Sequence, residues 1–282
     1  MIVTDKKYYL ETPLIKKLDL MADRCTSNRH KLDCLLLIDG YEGYGKTTFS
    51  VEAAYYVAHK TGRPFDHNNM FFDIDELIKF ASTTEGQVIV WDEAALGGLT
   101  TETWNKSQIK LIKLMMTVRK KRHFIIFNIP YFHRLKDYFI DRAIGLIHVY
   151  ARRQVELGRF MYFKKRNLMA LYYAWKSSKK RLYAQFRDKS CSGSFPNALA
   201  KIIDEKEYDK MKDKAIASIG ESGTVSKEVL KLRHYLYKIA TFSIDKKLAR
   251  EHFGVTPEKR YRWKKYKEDS ANWLNINMRP DR

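Results

Sequence analysis

Lys46 and Thr47 stand directly behind Gly45, and Gly40 lies five positions before that glycine, so the run GYEGYGKT satisfies G-x-x-x-x-G-K-[ST]. Glycines at this spacing let a loop curl until its backbone N–H groups face one anion. The lysine adds a mobile positive charge, and the threonine hydroxyl offers a hard oxygen ligand for Mg²⁺. The chemistry provided is the holding of a triphosphate, with Gly40, Tyr41, Glu42, Gly43, Tyr44, Gly45, Lys46, Thr47 and Thr48 as its cradle. A second pair, Asp92-Glu93, closes the run QVIVWDE. Asp92 is expected to hold Mg²⁺ with Thr47, and Glu93 to take a proton from an attacking water. The alternative use of both acids is to cap the turn that follows. Asn128, behind HFIIF, can orient that water or open an Asx-type turn before Ile129-Pro130.

Such groups need a scaffold that gathers them at one edge. Leu35–Asp39 is a short apolar run, and Thr48–Lys60 has the pattern of a helix whose N-terminus would face the phosphates. Strand-like runs follow at Met70–Asp73, Val88–Trp91, Phe124–Phe127 and Leu146–Tyr150, with helical patterns at Ile74–Ser82, Ser107–Lys121 and Phe132–Ala143 between them. Alternation of this kind predicts an α/β fold with a mainly parallel sheet sandwiched by helices, and ligands collecting beyond the C-terminal strand ends. After Tyr150 the texture changes. Arg152–Lys165 and Leu168–Trp175 are expected to form a basic, antiparallel β-hairpin region, and Lys201–Ile219 a polar helix. The expected organisation is an ATPase domain over residues 1–190 including that extension, a linker region over 191–225, and a small all-α domain over 226–282.

Charge points to a partner. Lys and Arg number 53 against 33 Asp and Glu, a formal net charge of +20, which favours a polyanion, nucleic acid before membrane. The basic strands carry interleaved aromatics that suit backbone tracking, although an ordinary hairpin would turn those rings inward. In SIDKKLAREHFGVTPEKRYRWKKYK, Leu248, Ala249 and Phe253 mark one buried helix face, Gly254 a tight turn, and Thr256-Pro257 the start of a second helix. That pattern resembles a helix-turn-helix, with Lys259, Arg260, Arg262, Lys264 and Lys265 facing largely outward toward DNA phosphates. A plain αα-hairpin bracing the other domain is the competing use. Arg119, Lys120, Lys121 and Arg122 end an amphipathic helix. Solvated cations complement the dipole there; alternatively, one arginine enters a neighbouring subunit's site and stabilises transition-state charge.

The order of GYEGYGKT, VIVWDE and VRKKRHFIIFNIPYFHRLKDYFIDRA resembles the FtsK/HerA branch of P-loop ATPases, and within it the Zot-like and viral genome-packaging ATPases. The resemblance spans roughly Leu35–Trp175. It implies an ASCE-type P-loop NTPase fold, ATP and Mg²⁺ as cofactors, and a homo-oligomeric ring that moves DNA, double-stranded by expectation, through hydrolysis. It also implies Arg119 as the trans-acting arginine. The family's strand-end glutamine falls on Pro130, which cannot do a glutamine's work and leaves Asn128 as its substitute. By the same analogy Leu96–Trp104 would line the ring's pore. Two other uses compete: an AAA+-like loader or accessory ATPase in replication or transposition, since the loop also fits G-x-x-G-x-G-K-T, and a DNA-binding regulator that senses nucleotide without turnover.

The three cysteines, Cys25, Cys34 and Cys191, sit far apart and form no C-x-x-C pair, which suggests a reducing compartment. The N-terminal run is not that of a signal peptide, and no apolar run reaches the ~20 residues of a membrane span. A cytoplasmic protein is the expectation, in the host cytoplasm if its source is viral.

Overall fold

Apolar runs of five or six residues that must be covered on both faces become the inner strands of a parallel sheet, and this chain uses them so. The computed structural model describes residues 2–3, 9–27, 32–92, 101–153, 156–188, 190–196 and 199–222. A two-stranded antiparallel pair, β1 (Ile2–Val3) and β2 (Tyr9–Leu10), precedes helix α1 (Thr12–Thr26). Then come β3 (Cys34–Asp39), α2 (Lys46–Thr61), β4 (Met70–Phe71), α3 (Ile74–Thr83), β5 (Val88–Asp92), α4 (Thr101–Thr117), β6 (Phe124–Ile129), α5 (Asp137–Arg142) and β7 (Gly145–Arg152). The chain returns as β8 (Glu156–Lys164), followed by α6 (Lys165–Ser178), α7 (Tyr183–Phe186), β9 (Ser192–Ser194), α8 (Leu199–Ile202) and α9 (Glu205–Ser222).

Among the described residues the main sheet has the order β4-β5-β6-β3-β7-β8-β9. The first five of these run parallel; β8 and β9 are antiparallel additions. One strand, β6, separates β3 from β5, so the glycine loop and Asp92 leave the sheet with the end of β6 between them. Strand alternation divides the core in two. Leu36, Ile38, Val88, Val90 and Ile126 face α1 and α2, whereas Leu35, Leu37, Ile89, Trp91 and Phe127 face α3, α4, α5 and α6. Asp92 and Asn128 share the parity of the first set. Both therefore point to the face that α2 covers, and this parity assembles the site.

Several expectations are corrected by packing. Leu168–Trp175 is not a strand but lies within α6. Apolar residues occur at both parities there, and what decides is that Leu168, Leu171 and Tyr172, at i, i+3 and i+4, bury one helical stripe. Phe132–Ala143 is not one helix. A 3-10 turn, Phe132–Arg134, precedes α5, because the Gln108 side chain donates to the Arg134 carbonyl (3.2 Å) and accepts from the Lys136 N–H (2.7 Å), holding the chain open between them. The helix expected from Ser107 begins at Thr101 and tightens into a 3-10 turn over Val118–Lys121. Of the proposed pore loop, Thr101–Trp104 is thus helical, and residues 93–100 lie outside the described residues. Helix α1, which the sequence reading did not include, buries Leu14, Leu18, Met21 and Ala22.

The chain divides into two compact units, Met1–Ile219 and Gly220–Arg282. Residues 223–282, with the expected helix-turn-helix and its Lys259, Arg260, Arg262, Lys264 and Lys265, lie outside the described residues. No helix among the described residues is long and apolar enough to cross a membrane.

Candidate nucleotide-binding site

The glycine loop joins the C-terminal end of β3 to the N-terminus of α2, where orphan backbone N–H groups and the helix dipole both favour an anion. Gly40 adopts φ +149, and a Cβ there would meet the Val149 carbonyl oxygen of β7 at 2.2 Å. Gly45, the residue preceding α2, is left-handed at φ 91. Lys46 is buried, and its Nζ donates to the carbonyls of Gly40 (2.8 Å) and Tyr41 (3.0 Å), folding the side chain back across the loop.

Thr47, Asp92 and Asn128 meet behind that loop. The Thr47 hydroxyl donates to Asp92 Oδ2 at 2.6 Å. One helical turn on, Ser50 donates to the Thr47 carbonyl (2.8 Å) and accepts from Asn128 Nδ2 (2.8 Å). Asn128 pairs in register with both Asp92 of β5 and Ile38 of β3 and is 1% exposed. Its Oδ1 has no hydrogen-bond partner among the described residues. Buried amide oxygens are seldom left so. An acceptor held beside a threonine–aspartate pair, on the face that carries a helix N-terminus, suits a water or a hydrated phosphate. These residues therefore fit a nucleotide triphosphate and Mg²⁺: Lys46 and the loop for the phosphates, Thr47 and Asp92 for the metal. Glu93 lies outside the described residues.

Arg119 is elsewhere. It is exposed in the 3-10 turn that leads to Phe124, and Phe124 pairs with Cys34 at the start of β3. That places it at the opposite end of the sheet from its own chain's loop. There it lines a cavity of about 200 Å³ with Arg24, Asp33, Asp141 and Arg142, the last paired with Asp33 at 2.5 Å.

Three features of the site escaped the sequence reading. Asp39, the last residue of β3, is fully buried, accepts from the Tyr183 hydroxyl (2.7 Å) and lies 2.9 Å from His148 Nδ1. The His148 and Tyr183 rings stack at 3.7 Å. Burial, then the Asp39 charge, pushes the Tyr183 phenol far up, so it stays a donor. This network anchors the strand end from which the loop departs. At the loop's lip, Arg181 donates to the Tyr41 hydroxyl (3.0 Å) and covers the Tyr131 ring (4.4 Å). On the other face, Tyr208 of α9 directs its hydroxyl to Asp92 Oδ2 at 3.4 Å, with its phenol raised by burial and then by Asp92. Only the first had a signal in the sequence: Asp39 ends the apolar run of β3, and His148 interrupts that of β7.

No family model and no curated protein matches the sequence. Among solved structures, the chain is similar to the genome packaging NTPase B204 from Sulfolobus turreted icosahedral virus 2 in complex with ATP-gammaS. That similarity has 9% identity and a TM-score of 0.28, covering 48% of this chain and 94% of that one. It is also similar to the replication initiator DnaA bound to AMPPCP and single-stranded DNA, at 14% identity and a TM-score of 0.33, over 93% of this chain and 77% of that one.

Proposed function

We propose that this chain is a P-loop ATPase that spends ATP hydrolysis on moving or processing DNA. The observation that carries the reading is the linked set Thr47–Asp92 and Thr47–Ser50–Asn128, assembled on one sheet face directly behind the glycine loop. The loop's N–H groups and Lys46 hold the β- and γ-phosphates. Thr47 and Asp92 would hold Mg²⁺, which would supply positive charge to neutralise the phosphates. Asn128 orients a water through its Oδ1, and Glu93 takes that water's proton as its oxygen bonds to the γ-phosphorus. The bond to the β-phosphate oxygen breaks in the same in-line transfer, leaving ADP and phosphate. The position of β6 between β3 and β5 supports the ASCE type, because it places a polar strand end between loop and metal carboxylate.

Arg119 cannot serve its own chain's loop from the far end of β3, which is the placement a trans-acting arginine requires. A homo-oligomeric ring with shared sites follows from that reading. The net charge of +20 supports DNA as the polyanion, with the helix-turn-helix over residues 226–282 and the basic side chains named above as its contacts.

The test is ATP hydrolysis with and without double-stranded DNA for the wild type, Lys46→Ala and Arg119→Ala. Turnover that rises with DNA and collapses in both variants is expected, with the arginine worth on the order of 10³-fold or more in rate. Nucleotide binding without turnover, whatever DNA is added, rejects the ATPase. Full turnover by Arg119→Ala rejects the shared site alone.

A further inference from the structure

We propose that Tyr208, carried by α9, is a positioning residue for the metal-holding carboxylate of Asp92, a role that rests on the nucleotide reading above. Three segments distant in the chain converge on one oxygen. Asp92 Oδ2, at the end of β5, accepts from Thr47 at the start of α2 (2.6 Å) and from Tyr208 on α9 (3.4 Å). The loop motif and the strand motif account for the first two. The third comes from a helix more than a hundred residues further along, where neither motif reaches.

The seat of Tyr208 is built rather than incidental. Tyr208, Met211 and Ala215, at i, i+3 and i+7, form the stripe by which α9 packs on the core that also contains α2. The Tyr208 ring lies 5.5 Å from that of Phe72, which directly follows β4, the neighbour of β5. Tyr208 is 5% exposed. A ring needed only for packing would be served equally by phenylalanine, and a buried hydroxyl is costly unless it meets a partner. Here the partner is the carboxylate that the metal needs. Two donors on one carboxylate oxygen fix the plane and tilt of the group, and groups that orient metal ligands in this way typically change metal affinity or activity by 10- to 100-fold when removed. The Tyr208 contact reaches Asp92 from α9, so the seat of that helix bears on the orientation of the carboxylate. Because α9 runs to Ser222, it is also the element by which the chain leaves the first compact unit.

The experiment uses full-length protein and Tyr208→Phe, which keeps the ring against Phe72 and removes only the hydroxyl. A fluorescent ATP analogue is bound in EDTA and then across a Mg²⁺ titration, and ATP hydrolysis is followed over the same titration. The expected result is a Mg²⁺ concentration for half-maximal binding and turnover raised roughly tenfold. Analogue affinity in EDTA stays unchanged, and so does the thermal midpoint to within a few degrees. A purely structural tyrosine would move the midpoint and the EDTA affinity instead, which overturns the proposal. An unchanged or lowered Mg²⁺ requirement in a variant whose wild type binds the analogue normally overturns it as well, and leaves the nucleotide reading standing. A wild type that binds the analogue under neither condition overturns both.

Discussion

At the scale of single residues, Asn128 carries the sharpest consequence. Its amide has two halves: Nδ2 donates to Ser50, while the buried Oδ1 has no hydrogen-bond partner among the described residues. Asn128→Ala removes the acceptor for a water but leaves the loop, Lys46 and the Thr47–Asp92 pair untouched. Nucleotide affinity is expected to stay within a few-fold, while turnover falls by about 10²-fold, the size of a lost transition-state hydrogen bond. Stopped-flow binding beside steady-state hydrolysis separates the two, and an equal loss in both would make Asn128 a packing residue. Asn128 was legible as a candidate because it ends an apolar run beside the expected metal carboxylate. Its link to Ser50 was not, since that contact joins residues 78 positions apart.

Secondary-structure elements show where legibility ends. Strands β3, β5, β6 and β7 could be read because continuous aliphatic runs in a parallel sheet have few other uses. Helix α6 could not. Its apolar residues satisfy both the period of two and the period of 3.6, and only burial of Leu168, Leu171 and Tyr172 separates them. Helix α1 went unread, and α9 was legible as part of the polar helix expected over Lys201–Ile219, but its docking was not: its partners are remote, and nothing local in Tyr208 announces Asp92. The docking of α6 also has a pH signature. Trp175 of α6 stacks on His133 (4.4 Å), a buried ring whose pKa is pushed down to about 4 by burial and then by Arg181. The ordinary value is 6.5. Above 6.5 neither the folded nor the unfolded chain protonates it. Between 6.5 and about 4 the unfolded chain takes up a proton that the folded one refuses, so stability falls as pH falls through that window. His123, shifted down mainly by burial, adds to the same trend. Thermal midpoints should therefore drop from pH 7 to pH 4.5, and drop less in His133→Phe, which keeps the stack. An equal drop would clear His133 of the effect.

For the whole molecule the dominant quantity is charge. A net +20 that engages six to ten DNA phosphates would lose roughly 10³- to 10⁵-fold in affinity between 50 and 200 mM salt. Fluorescence anisotropy with duplex DNA across that range measures the slope, and a flat response would remove DNA as the polyanion. The architecture also bears on heredity. Gly40 is confined by the Val149 carbonyl oxygen of a neighbouring strand, 2.2 Å from where any side chain would start, so the sheet alone requires a glycine there. Lineages that abandoned nucleotide use would let Lys46 and Thr47 drift while the sheet still compelled Gly40. A glycine at that position is thus a record of ancestry in the fold, and the lysine six residues later a record of continued selection for chemistry.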